Sequence, residues 1–416
     1  MFYSKLFGKT KKEVKDFDSI SHKLLTQAGF IDQVASGIFE FLPLGKKVLM
    51  KIENIIREEM NAIGGQEVLM PLLHPKALWE KTSRWNSVDV LFKVKSQWSN
   101  DYALAPTHEE TVTPLAKKFI KSYKDLPLAL YHITTKFRDE KRAKSGILRG
   151  REFGMKDLYS FHKDKNDLEN YYKKVIDAYL KIFKRCGLNE VKITEASGGS
   201  FTKKFSHEFN VITKAGEVDL IYCSKCSFAQ NEEIATEKNT CPKCGGKLEK
   251  NRAIEIGNIF DLGTRFSEAF DLKFTDIDGQ TKYPVMGCYG IGTTRLMGTI
   301  VEVYHDDQGI IWPKEISPFQ IHLIGLDLKD EKIKRSAENL YKKLKNNGFD
   351  VLFDDRLDAS AGEKLTDADL IGIAIRLVVS KRTNDKIEFK KRSQKKSEFL
   401  EVDKVISILK TEINNS

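Results

Sequence analysis

The stretch Phe137–His162, FRDEKRAKSGILRGREFGMKDLYSFH, decides how the chain is read. Arg138, Glu140, Arg149, Arg151 and Glu152 sit among Phe137, Phe153, Tyr159 and Phe161, with Gly146 and Gly150 between them. Two aromatic-bearing runs around a charged, glycine-containing loop predict a β-hairpin. Strand side chains return to one face every second residue, so Arg138 and Glu140 are expected to share a face, as are Arg151 and Phe153. Such a face offers guanidinium groups for a phosphate, a carboxylate that accepts from an exocyclic amine, and a ring that stacks on a base. A salt-bridged surface hairpin accounts for the same charges, because charge runs usually mark solvated faces.

Around this hairpin lies a chain of 416 residues, long enough for two or three domains. Its 41% hydrophobic and 31% charged content describes an ordinary globular protein rather than a disordered one. A net charge of +10 is compatible with a polyanionic partner and proves nothing alone. No apolar run approaches the ~18 residues of a membrane span. The first residues, MFYSKLFGKTKKEVKDF, lack the apolar core of a secretory signal and carry acids that a transit peptide avoids, so a cytoplasmic location is expected.

Four of the six cysteines form two CxxC pairs, Cys223/Cys226 and Cys241/Cys244, spaced C-x2-C-x14-C-x2-C. Without a secretory signal this favours a metal over disulfides. Two such turns complete a tetrahedron of thiolates around zinc and leave no open position, so the ion is expected to be structural. Reduced, metal-free thiols are the alternative. Cys186 reads as a small packed residue.

Upstream, Val48, Ile52, Ile55, Ile56 and Met60 recur at helical spacing before Gly64 and Gly65, and a strand ending at Pro71 follows. From Asp101, DYALAPTHEETVTPLAKKF predicts a strand, a Pro-Thr turn and a helix with Glu109 and Glu110 in its first turn, where acids suit the macrodipole. Lys165–Gly187 reads as a helix with Leu168, Tyr171, Val175, Tyr179 and Ile182 on its buried stripe. In MGCYGIGTTRLMG, Gly290 and Gly292 permit close backbone approach, and Arg295 opposes the dipole of the helix it begins unless it faces an anion. After Trp312-Pro313, strands alternate with helices, which predicts a small α/β domain with a largely parallel sheet. Its basic run Lys390–Lys396 suits phosphates or a solvated loop equally.

Taken in order, these pieces resemble the class II aminoacyl-tRNA synthetases, and REF at Arg151–Phe153 with YSFH at Tyr159–His162 is closest to the bacterial-type prolyl-tRNA synthetases. The hairpin resembles motif 2, the segment ending at Pro71 motif 1, and the glycine-led helix motif 3. The resemblance implies an α+β class II catalytic domain over residues 1–315, an antiparallel sheet flanked by helices. It further implies an anticodon-binding α/β domain over 316–416, with the four-cysteine zinc module, 222–250, standing where such enzymes hold a large editing insertion. That insertion is expected to be absent.

The implied activity is activation of L-proline by ATP with Mg2+, then transfer to tRNA(Pro), in a homodimer built through motif 1. By the same resemblance Arg138 serves the α-phosphate and the proline carboxylate, Arg295 the γ-phosphate, and Glu140 and Phe153 the adenine, with Arg149 and Arg151 also on ATP. Thr107, Glu109, Phe161, His162, Glu208 and Cys288 are the implied proline pocket, with His207 structural. Asn258 departs from the family, which has histidine there. A synthetase for threonine or glycine, and a non-enzymatic synthetase-like accessory subunit, remain as alternatives; the YSFH and GCYGIG pieces disfavour the first, and joint retention of Arg138 and Arg295 disfavours the second.

Overall fold

A computed structural model describes residues 1–12, 17–98, 100–199 and 205–414. The chain divides into two compact units, one of Met1–Gln33, Phe39–Lys51 and Ile300–Ser416, the other of Val34–Ile38 and Ile52–Thr299. Helix α1 (Pro43–Ala62) buries the five apolar residues named above, and Gly64 follows at φ +83°, a left-handed turn that ends the helix.

The second unit is organised by a nine-stranded sheet. In chain order its strands are β1 (Gln66–Glu67), β2 (Leu128–Phe137), β3 (Glu152–His162), β4 (Lys192–Ser197), β5 (Phe205–Ile212), β6 (Val218–Cys223), β7 (Ala229–Asn231), β8 (Leu248–Gly263) and β9 (Val285–Gly292). Across the sheet they run β5-β4-β7-β6-β8-β9-β3-β2-β1, and β8 pairs with β5 as well. The long pairings are antiparallel; β7 on β4 and β1 on β2 are the short parallel ones. Helix α2 (Glu109–Lys117) starts at the predicted glutamates. Helix α3 (Lys165–Arg185), capped by Asp164, buries its predicted stripe, and Cys186 is buried at its end. Helix α4 (Thr293–Val303) follows β9 directly. A side chain at Gly154 on β3 would put its Cβ 2.5 Å from the Thr293 hydroxyl, so any larger residue there would have to displace Thr293 at the start of α4.

The hairpin is present, but Arg138, Glu140, Arg149 and Arg151 lie beyond its strands. Its ladder closes at Phe137↔Glu152. Arg138, Glu140 and Arg151 therefore escape the alternation expected of them. The Arg138 amide still donates to the Arg151 carbonyl at 2.8 Å, which holds the loop stems together.

In the other unit, β10 (Ile321–Gly325), β11 (Val351–Asp354), β12 (Ile375–Val379), β13 (Ile387–Lys391) and β14 (Glu398–Leu400) form a sheet in the order β11-β10-β12-β13-β14. Helices α5 (Glu331–Asn346), α6 (Ala361–Ile371) and α7 (Val402–Asn414) complete it. Leu323, Leu344, Leu377, Phe389 and Leu409 lie in its core. The expected largely parallel sheet is corrected to a mixed one. β10 runs parallel to β11 and β12, whereas β12–β13 and β13–β14 are antiparallel. The physical reason is the connection: only a turn at Lys381–Thr383 separates β12 from β13, too short for a crossover helix.

Candidate active site

A cavity of about 450 Å3 opens on the second unit's sheet, a volume ordinary for a small-molecule pocket. The hairpin loop supplies Arg138, Glu140 and Arg149 to its wall; β3 supplies Phe153, Met155 and Asp157; α4 supplies Arg295. Thr107, Glu255, Asn258 and Cys288 close the rest. Residues far apart in sequence, Arg138 and Arg295, thus share one pocket.

At one end, the Arg138 guanidinium lies 5.2 Å from the centre of the Phe153 ring. Burial, and next the charge of Arg295, pull Arg138 below the usual arginine range. Two like charges held together under a sheet are costly, and an anion between them relieves the cost. Arg295 is fixed by carbonyls: its Nε donates to Leu148 O at 2.8 Å and an Nη to Glu255 O at 3.0 Å. Arg149 donates from Nε and Nη2 to the same Glu140 oxygen at 3.1 and 2.7 Å, and from Nη1 to Glu217 at 3.2 Å.

At the other end a buried network sets the polarity of the wall. The Thr107 hydroxyl donates to Glu109 at 2.6 Å, so its oxygen is left as an acceptor. Asp157 receives the Tyr159 hydroxyl at 2.7 Å and the Lys136 amine at 2.8 Å. Burial alone would raise the Asp157 carboxyl, but Lys136 and then His132 outweigh it and hold it well below the usual range. Sequence reasoning passes over Asp157. A signal for it exists, because Phe153, Met155 and Asp157 alternate along β3 and so face the same side.

Five residues implied by the resemblance do not line the cavity. Arg151 turns away, donating to Glu140 O at 3.1 Å and Ser36 O at 2.8 Å. Glu109 is fully buried behind Thr107, with Arg84 3.3 Å away. Phe161 has the right parity but lies four residues past Asp157, about 13 Å along the strand, in the core with Val112 and Phe266. His162 has the opposite parity; it bonds Ser160 at 2.8 Å, and its ring meets that of Tyr171 from α3. Glu208 sits on β5 opposite Asn258 and accepts from Asn210 at 3.2 Å. Burial, and next Glu255, push it up to about 8. Asn258 itself is on the wall. His207 bonds Tyr172 at 2.8 Å, a structural setting.

Away from the cavity, the four sulfurs of Cys223, Cys226, Cys241 and Cys244 lie within 4.8 Å of one another. Cys223 and Cys244 are 3.6 Å apart, as are Cys226 and Cys241. A zinc tetrahedron with sulfur at ~2.3 Å has edges near 3.8 Å, so the donor set fits that ion.

A family model for the class II tRNA synthetase core domain (G, H, P, S and T) matches residues 92–304, and one for the anticodon binding domain matches 317–412. A proline–tRNA ligase of Endomicrobium trichonymphae is 36% identical, with 99% of each chain covered. One from Dehalococcoides mccartyi is 34% identical over 98% of each. The chain belongs to the proline–tRNA ligase family. The alignment with the Endomicrobium relative runs over 568 positions against 416 residues here, so that relative carries a long stretch this family member lacks. A Giardia lamblia prolyl-tRNA synthetase solved with prolyl-adenylate shares the fold at a TM-score of 0.79 and 20% identity, covering 95% of this chain and 78% of that one.

Proposed function

We propose that the cavity activates L-proline with ATP for transfer to tRNA(Pro), and that its two ends divide the work. The observation that carries this reading is the pair of acceptors at one end, Thr107 Oγ1 and Asp157. A secondary ammonium has two N–H groups, and this wall offers one acceptor for each. Arg138 takes the proline carboxylate and the α-phosphate. Arg295 takes the γ-phosphate, Phe153 stacks on adenine, and Glu140, oriented by Arg149, accepts from its amine. Glu109 acts through Thr107 by fixing its hydroxyl, and Cys288 packs against the pyrrolidine ring. Glu255, on the wall 3.8 Å from Arg295, is a carboxylate that would hold Mg2+, which supplies neutralisation of phosphate charge when bound.

The chemistry needs positioning and charge neutralisation, not a protein nucleophile. The carboxylate attacks the α-phosphorus in line, pyrophosphate leaves, and a hydroxyl of the tRNA's terminal adenosine then takes the prolyl group. In this reading residues 1–315 form the aminoacylation domain, 316–416 the anticodon-binding domain, and 222–250 a structural zinc module in place of an editing domain. Dimerisation through the motif 1 region is part of it, supported by Leu69 at 85% exposure beside β1. So is a cytoplasmic setting; no helix among the described residues is long and apolar enough to cross a membrane.

The test is pyrophosphate exchange by the purified chain with each standard amino acid in turn. Exchange with proline alone is expected. Exchange that prefers threonine or glycine, or none at all, overturns the reading.

A further inference from the structure

Beneath the two acceptors lies a lysine that the reaction does not touch. Lys136 is on β2, opposite Phe153, and His132 is opposite Asp157, so both face the side that Phe153, Met155 and Asp157 face. Lys136 is fully buried. Its amine donates to His108 Nδ1 at 2.6 Å and Asp157 Oδ2 at 2.8 Å, and lies 2.8 Å from His132 Nε2. The ring nitrogens and the carboxylate of His108, His132 and Asp157 lie within 4.8 Å of one another, a spacing suited to a metal ion. The ammonium occupies that place.

The hydrogen positions follow from the partners. His108 Nε2 lies 3.0 Å from Pro71 O, which can only accept, so that nitrogen carries the proton and Nδ1 is free to accept from Lys136. His132 Nε2 stands between Asp157 Oδ1 at 2.9 Å and the Lys136 amine at 2.8 Å, donating to the first or accepting from the second according to its tautomer, while its Nδ1 has no partner. The His108 amide in turn donates to the Tyr159 hydroxyl at 2.7 Å, and that hydroxyl lies 3.2 Å from Thr107 Oγ1. One amine therefore holds Asp157 directly and, through His108 and Tyr159, the hydroxyl that packs against Thr107, whose own proton goes to Glu109.

We infer that Lys136 is a positioning residue for the proline subsite, holding Asp157 and Thr107 where the two N–H groups of a secondary ammonium meet them and so setting selectivity for a charged ring nitrogen. The inference rests on Asp157 receiving that ammonium. Removing the amine leaves Asp157 buried with its chief countercharge gone. Of the groups left around it, His74, His108, Glu109, His132, Tyr159 and Cys288 carry no fixed positive charge, and the neighbouring Lys156 ammonium is bound to the Tyr179 hydroxyl and the Tyr289 carbonyl instead.

The test compares proline with tetrahydrofuran-2-carboxylate, which has the same ring and carboxylate but an ether oxygen where proline has its ammonium. In pyrophosphate exchange by the full chain, Lys136→Met is expected to raise KM for proline about 10–100-fold, the scale of losing a partner that orients a binding group. KM for ATP and the inhibition constant of the ether analogue should stay within about twofold, so discrimination between the two rings collapses by the same factor. Equal weakening of both ligands, or an unchanged proline KM, overturns the inference.

Asp157→Asn separates the layers. If it leaves the proline KM unchanged, the pocket reading fails. If it raises KM while Lys136→Met does not, only the role of Lys136 fails. Should the single lysine variant be insoluble, Lys136→Met is measured on the Asp157→Asn background. There no further rise in proline KM is expected, and a further rise overturns the inference.

Discussion

The Arg138 guanidinium lies over the Phe153 ring, 5.2 Å from its centre, with the charge of Arg295 as its strongest electrostatic neighbour. A side chain held where its own charge is disfavoured is kept for what it binds, not for what it stabilises. Arg138→Ala is therefore expected to reduce proline-dependent pyrophosphate exchange by roughly a hundred- to a thousandfold, the scale of losing an electrostatic anchor of the transition state. Its thermal midpoint should equal or exceed that of the parent. Near-normal exchange, or a collapsed fold, would refute the role.

Glu208 gives a pH dependence with a definite sign. Its folded value, raised to about 8 chiefly by burial, exceeds that of the unfolded chain, so the folded state favours the protonated form. Its stabilising contribution is full below the unfolded pKa of ~4.3 and is lost as pH rises through about 8. Glu208→Gln removes this contribution, about 1.4 kcal/mol for each tenfold gain in proton affinity on folding. Urea midpoints of parent and variant at pH 5 and pH 9 provide the measurement: the variant should gain on the parent as pH rises. A constant difference would count against the buried, raised carboxyl.

For the cysteine module, elemental analysis of protein purified without chelator is expected to find one zinc per chain, at the four-thiolate site. Cys226→Ser, or prolonged chelation, should release it and lower the thermal midpoint by several degrees, the change that a few kcal/mol produces in a chain this size. Since the sulfurs lie off the cavity, KM for ATP should hold at temperatures where the variant stays folded. Zinc-free protein of unchanged midpoint would remove the ion from the account.

The short connection through that module bears on fidelity. A pocket for proline rejects the smaller alanine only by lost methylene contacts, worth ~1–3 kcal/mol. With no room between Cys226 and Leu248 for a hydrolytic domain, the purified chain is expected to leave alanyl-tRNA(Pro) intact. Its deacylation above the uncatalysed rate would contradict this.

Much of the fold is legible in the sequence because its markers are local. CxxC spacing, the glycines before Arg295 and the stripe of Lys165–Arg185 each depend on residues a few positions apart. Arg138, Glu140 and Phe153 are legible through their company in one hairpin. Arg151 is misread when alternation is extended past Phe137, where the ladder stops. Asp157 and Lys136 escape notice because their significance lies across strands: β2 and β3 must be in register before a lysine in TTKF meets an aspartate in MKDL. In the C-terminal sheet, the three-residue strand Glu398–Leu400 is too short to show an alternation before its partner is known.

The ladder Cys223↔Leu248 sits at the far end of β8, whose middle residues, Ile254 to Asn258, form cavity wall. Strand partners stand about 5 Å apart, and between these two the chain returns to the sheet once, as β7 against β6 and β4, before it leaves again for the second CxxC turn. Whatever is spliced there hangs outside a closed ladder and need not alter the register that builds the wall. The register that builds the cavity wall is thus mechanically separable from what the chain carries beyond β7, and a foreign module grafted at that turn need not retune the wall.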